Sequence, residues 1–163
     1  MKKLVFLTLM ASLYGCFART PEKTGLEGEL LPSFKLLLPD SATYFNMMDV
    51  PAGKPLVLFY FGAYCPYSRA QMEEIVKDIN KLKNIDFYVF TAGPFNEMKD
   101  FYKYYQLNKY TNITTGLDCD AFFGSHFKAN LVPYTIIYGK DKKLKAAFIG
   151  KVTTQQIKKF TEK

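Results

Sequence analysis

The sequence predicts an α/β sandwich with a mixed central sheet, parallel in its middle. Three observations predict it. Residues 56–61 form a continuous apolar run of strand length, bounded by Lys54-Pro55 and Gly62, as expected of a strand buried on both faces. From Pro66 onward the pattern becomes helical, with Met72, Ile75, Val76, Ile79 and Leu82 recurring at spacings of three and four. Beyond that point, segments of strand and helix character alternate before ending in two adjacent strands and a last helix.

In chain order, residues 30–38 are a short extended apolar piece punctuated by Pro32 and Pro39, and Pro39-Asp40-Ser41 and Pro51-Ala52-Gly53 mark turns. The strand over 56–61 leads into a helix of about four turns over 66–82, closed by Asn84. Residues 85–90 read as a second strand. Pro94 sits where a first-turn proline would open a helix running to about Leu107, and residues 113–117 form another strand. A short helix over 120–127 follows. Residues 134–138 and 144–149 flank the turn Gly139-Lys140-Asp141-Lys142 as a hairpin, and residues 153–162 close the chain as a helix capped by Thr153 or Thr154.

A chain of 163 residues, 48% hydrophobic and 23% charged, is long enough for one self-sustaining core, which excludes a disordered, collagenous or disulfide-scaffold protein. The net charge of +7 is scattered in pairs such as Lys142-Lys143 and Lys158-Lys159, a distribution that suits solvated faces rather than a nucleic-acid groove. No nucleic-acid partner is expected.

The three cysteines make an odd count. Lys2 and Lys3 precede a short apolar stretch over 4–13 that is too short to span a bilayer, and Gly15 precedes Cys16, a pattern that reads as an export signal. Leu13-Tyr14-Gly15-Cys16 resembles the bacterial lipoprotein signal, whose cysteine becomes the lipidated mature N-terminus. The resemblance implies a signal peptide over 1–15, a lipid on Cys16 with a tether to residue 31, and a folded domain over 32–163. It also implies a lipid-anchored protein of the bacterial cell envelope, with the domain in the periplasm or at the outer membrane.

In parallel sheets chemistry gathers at strand C-termini, and the turn after residues 56–61 holds Gly62-Ala63-Tyr64-Cys65-Pro66-Tyr67-Ser68. A cysteine at a helix start faces unpaired backbone N–H groups, which favour thiolate, the nucleophilic form. Ser68 at i+3 can bring a hydroxyl to the sulfur, and Arg69 at i+4 can add positive charge. An inert small hydrophobe at a strand–helix junction is the competing explanation.

These residues resemble the thioredoxin superfamily, in its TlpA-like and redoxin branch of extracytoplasmic thiol–disulfide proteins. Pro32-Ser33-Phe34-Lys35-Leu36 is similar to the opening Pro-x-Phe-x-Leu, and Gly53-Lys54-Pro55 to the lead into the first core strand. Tyr64-Cys65-Pro66-Tyr67-Ser68-Arg69-Ala70 falls on Trp-Cys-x-x-Cys-Arg-Ala, and Val132-Pro133-Tyr134 on the cis-proline loop. The resemblance implies a thioredoxin-like three-layer α/β/α sandwich in which Cys65, Ser68 and Pro133 are the catalytic positions. Tyr64, Pro66, Tyr67 and Val132 would line the substrate groove. Protein or small-thiol disulfides are the expected partners, with no cofactor and no metal.

Departures from the family pattern limit what carries over. Ser68 replaces the resolving cysteine, and a hydroxyl cannot resolve a mixed disulfide. Phe59 stands where minimal thioredoxins carry a buried carboxylate, Gln71 where an acid is common, and Glu73 where a helix-kinking proline is common. Cys65 then acts as a monothiol, or resolves with Cys119 at the end of the 113–117 strand, or is incidental in a binding module. In the first and third cases Cys119 is a packed, unpaired residue. Peroxidase chemistry is a weaker alternative, because neither proline nor threonine precedes Cys65 in the peroxiredoxin arrangement. His126, the sole histidine, makes neither a metal site nor a triad, the aromatic residues between Phe101 and Tyr110 read as core plus amphipathic surface, and Met47-Met48 carries no ligand pattern.

Overall fold

The strand β3 (Leu56–Tyr60) organises the molecule. In this computed structural model, which describes residues 19–162, four of its five side chains are buried and alternate between two separate cores. Val57 and Phe59 enter one core, Leu56 and Leu58 the other, which is why the sequence there is continuously apolar rather than alternating. Around it lies a seven-stranded sheet in the order β2-β1-β5-β4-β3-β6-β7. The remaining strands are β1 (Lys35–Leu37), β2 (Tyr44–Asn46), β4 (Asp86–Thr91), β5 (Ile113–Leu117), β6 (Tyr134–Tyr138) and β7 (Leu144–Ile149). The β3–β4 and β4–β5 pairs are parallel, whereas β6 pairs antiparallel with both β3 and β7. The sheet is mixed and parallel in its middle.

Helices α1 (Pro66–Lys77), α2 (Phe95–Tyr104) and α4 (Thr154–Thr161) bury Met72, Ile75, Met98, Phe101 and Ile157 against the Val57–Phe59 face. The other face is covered by α3 (Phe122–Phe127), through Phe123 and Phe127, together with Phe34, Leu36 and Met47. Three layers result.

Several boundaries differ from the sequence expectation. α1 stops at Lys77, and a separate 3-10 turn (Ile79–Lys81) carries the chain on, so Leu82 reaches the same core from outside the helix. The reason is Asp78, whose carboxylate accepts Thr154 Oγ1 at 2.6 Å and Lys81 Nζ at 2.7 Å and fixes the turn. α2 begins one residue after Pro94 and ends at Tyr104, because Gln106 adopts φ of 51° before a 3-10 turn. α3 starts at Phe122, after Ala121 at φ of 48°. Thr153 is the α4 cap, in a capping box with Gln156.

The described part of the expected tether, residues 19–31, is hydrogen-bonded along β7 and the turn before it, with Glu22 N–H on Ala147 O at 2.8 Å and Leu31 N–H on Lys142 O at 2.9 Å. The edge strand β7 offers unpaired backbone groups, and this segment satisfies them. The signal segment 1–15 and Cys16 lie outside the described residues. Among the described residues no helix is long and apolar enough to cross a membrane.

Candidate functional site

At the end of β3, Phe61 N–H donates to Phe90 O at 3.0 Å, and the chain then turns through Gly62 and Ala63 into α1. Gly62 is required there by space, since a Cβ would lie 2.9 Å from Val132 Cγ2 and 3.3 Å from Cys65 Cβ. Cys65 is the N-cap of α1, with extended backbone and Pro66 in the first helical position. Its carbonyl accepts the first helical N–H, from Arg69, at 3.0 Å. Its side chain caps nothing, which leaves the sulfur available.

The half-buried sulfur faces the second loop of the motif. Cys65 Sγ donates to Val132 O at 3.5 Å, and the Val132–Pro133 peptide bond is cis. Pro133 is buried, and its carbonyl accepts the Gly150 N–H at 2.7 Å, so the loop after β7 backs the proline. Residues far apart in sequence, at the Cys65, Val132-Pro133 and Gly150 loops, therefore meet at one edge of the sheet. The register confirms the alignment: Tyr60 is paired with Tyr134, and Tyr134 with Ile149.

Ser68 does not serve the sulfur. It is fully buried, and its Oγ accepts the Gly62 N–H at 3.2 Å, so the hydroxyl braces the turn that carries Cys65. Arg69 likewise turns away from the expected role of charge at the thiol. Its Nε donates to Ala63 O at 2.9 Å, and its guanidinium lies 5.9 Å from the Tyr64 ring centre and 5.5 Å from that of Tyr104. Tyr105 extends this brace by donating its hydroxyl to Arg69 O at 3.3 Å, and burial first, then the Glu73 charge, push its pKa up to about 12.

Tyr64 and Tyr67 are 67% and 66% exposed, and Pro66 and Leu131 are exposed beside them, with Val132 half-buried. An apolar, aromatic rim thus surrounds the thiol. Tyr104 is linked to this site through the Arg69 guanidinium, and the closeness of Gly62 to Val132 depends on a loop 70 residues away; neither contact is marked in the sequence. Gln71 locks the back of the site, its Oε1 accepting Val152 N–H at 2.6 Å while its Nε2 is buried without a partner.

Cys119 is exposed rather than packed, and both it and Cys65 are free. It follows β5, which is separated from β3 by β4. The neighbouring Asp118 is the buried carboxylate of this sheet edge, but its two oxygens accept the N–H groups of Phe122 and Phe123 at 3.1 and 2.8 Å. Burial raises its pKa. Phe59, fully buried, leaves the interior beneath Cys65 apolar. His126 is exposed on α3 and stacked on Phe122, and the described residues contain no cluster of metal-ligating side chains. A cleft of about 550 Å³ between Pro55, Ile85, Gly139 and Lys145 opens at the opposite edge of the sheet and holds no thiol.

Solved structures share this architecture. A secreted disulfide oxidoreductase of Mycobacterium tuberculosis, homologous to E. coli DsbE, aligns with a TM-score of 0.65 at 17% identity over 79% of this chain and 94% of its own. StoA of Bacillus subtilis aligns at 0.61 with 15% identity over 80% and 96%. The exposed lipoprotein thioredoxin of Streptococcus pneumoniae aligns at 0.63 with 16% identity over 80% and 98%. At these identities the likeness establishes the thioredoxin fold. No curated protein matches the sequence. The Redoxin family model matches residues 26–162, from the strap on β7 through the Cys65 turn and the cis-proline loop to the closing helix, and the chain belongs to the Redoxin family.

Proposed function

We propose that this protein is a thiol–disulfide exchange protein of the bacterial cell envelope, acting through Cys65 alone. One observation carries the reading: the half-buried thiol of the α1 N-cap residue faces the carbonyl of a cis Val-Pro loop and is flanked in the chain by the exposed Tyr64 and Tyr67. The Cys65 thiolate attacks one sulfur of a partner disulfide, forming a mixed disulfide and releasing the partner's other sulfur as thiolate. An external thiol then attacks the mixed disulfide, returns Cys65 as thiolate and leaves with the partner sulfur in a new disulfide. The electrons come from that external thiol.

Ser68 supports the monothiol version, because its hydroxyl is occupied by Gly62 and has no redox chemistry. The exposed, unpaired Cys119 and the strand between β5 and β3 weigh against an internal partner, since a disulfide needs Cα atoms within about 7 Å and two strand spacings already cover about 9.6 Å. Substrates meet Tyr64, Pro66, Tyr67 and Val132, while Pro133 shapes the groove. The lipoprotein-like segment ending at Cys16 supports a signal peptide over 1–15 and a lipid anchor, and the disulfide oxidoreductase named above supports the class of chemistry.

A motif without its resolving thiol should accumulate mixed disulfides. Affinity recovery of the full chain from cells under acid quench is expected to yield reducible covalent complexes that vanish in the Cys65→Ser variant and persist in Cys119→Ser. Recovery equal to that of Cys65→Ser would replace this reading with a non-catalytic thioredoxin-like binding module.

A further inference from the structure

The strap formed by residues 19–31 has a direction. It runs antiparallel to β7, with Glu22 opposite Ala147 and Leu30 opposite Lys143, so its N-terminal end lies at the C-terminal end of β7. Arg19 is fastened there. Its Nη1 donates to Ile149 O at 2.7 Å, its carbonyl accepts Gln156 Nε2 at 2.8 Å, and its guanidinium covers Gly150, where a Cβ would come within 2.9 Å of it.

That end of β7 is the edge of the sheet that carries the thiol. Gly150 N–H donates to Pro133 O at 2.7 Å, and Val132 O, across the cis bond, receives the Cys65 thiol. From the strap across β7 and β6 to β3 is three strand spacings, about 14 Å. Cys16 is three residue steps from Arg19, a reach of at most about 11 Å. A lipid carried on Cys16 is therefore confined to the Cys65 edge and cannot reach the opposite one.

A separate feature of that edge agrees with this placement. Tyr64, Tyr67 and Leu131 are 67%, 66% and 60% exposed around the sulfur, and amphipathic aromatic side chains suit a head-group layer, where the ring is shielded and the hydroxyl stays wet.

We propose that the strap orients the protein: a lipid on Cys16 holds the Cys65 edge toward the membrane surface, so the disulfides it exchanges belong to partners at head-group level rather than to freely diffusing proteins. This rests on the lipidation of Cys16 proposed above. The face presented to the membrane comprises Tyr64, Tyr67, Leu131 and Arg19.

The test uses the full chain, processed in a bacterial host and bound to vesicles of phosphatidylethanolamine and phosphatidylglycerol that contain a head-group nitroxide lipid. In a Cys119→Ser background, a bimane label on Cys65 reports the thiol edge. A second chain, with Cys65→Ser, Cys119→Ser and Lys140→Cys, carries the label on the exposed turn of the opposite edge. Severalfold greater quenching at Cys65 than at position 140 is expected. Inserting about 20 Gly/Ser residues between positions 18 and 19, a coil of about 25 Å, should abolish the difference. Equal quenching of the two labels without the insert, or a difference that survives it, would overturn the proposal and favour soluble partners. Failure of lipidation is separately visible as an unlipidated mature N-terminal peptide by mass and loss of vesicle binding, and removes both readings.

Discussion

The Ser68 hydroxyl accepts the Gly62 N–H in a position without solvent access, so the residue that replaces a resolving thiol is committed to holding the Cys65 turn. Restoring sulfur there trades that hydrogen bond for redox chemistry. In Ser68→Cys, mild oxidation is expected to form a disulfide between Cys65 and the introduced thiol, read as the loss of two hydrogens by mass. Covalent partner complexes should then fall because the second thiol displaces the partner. The cost is about 1–3 kcal/mol of stability from the poorly satisfied Gly62 N–H, measurable by denaturant unfolding. Cys65 was legible in the sequence because its signal is local: a cysteine followed by proline at the junction of a buried strand and a helix. The partners of Ser68 and Arg69 were not legible in the same way. Helical spacing places both near Cys65, but only the path of the Gly62-Ala63-Tyr64 turn decides that they bond to its backbone.

Elements follow the same division. The turn between β1 and β2 is built on Asp40, whose carboxylate accepts the Thr43 hydroxyl at 2.6 Å and the Thr43 and Ala42 N–H groups at 2.9 and 3.0 Å. The Thr43 hydroxyl foremost, then these N–H groups, hold its pKa at about 2, below the ordinary 3.8. A depressed carboxylate stabilises the fold above the ordinary value, and that contribution disappears as pH falls from about 3.8 toward 2. Asp118 has the opposite sign: burial raises its pKa, so its contribution is complete at low pH and is lost as pH rises through its folded value. Titration by NMR should place the Asp40 midpoint near 2, and Thr43→Val should move it toward 3.8. The Pro39-Asp40-Ser41 signal was enough to mark this turn. The strands beside it, three residues each, are too short to show a period, and β1 is held by its pairing with β5 and β2.

For the whole molecule, the strap bears on both stability and orientation. Leu144 N–H donates to Glu29 O at 2.9 Å, a bond that exists only while residues 19–31 cover the β7 edge. Deleting those residues is expected to expose the Leu144 amide to hydrogen exchange and to promote edge-to-edge association, visible by light scattering. Unchanged protection would mean the strap is dispensable. By itself the sequence determined the layered α/β order, the buried central strand, the place of Cys65 at the start of α1 and the proline loop that faces it. Each of these is written in local periodicity or in a short motif. Only the tertiary structure decided that residues 19–31 lie along β7, that Tyr104 meets the Arg69 guanidinium and that Cys119 is exposed. Those outcomes depend on backbone groups and surfaces contributed by strands and helices far away in the chain, and no local pattern encodes which of them will meet.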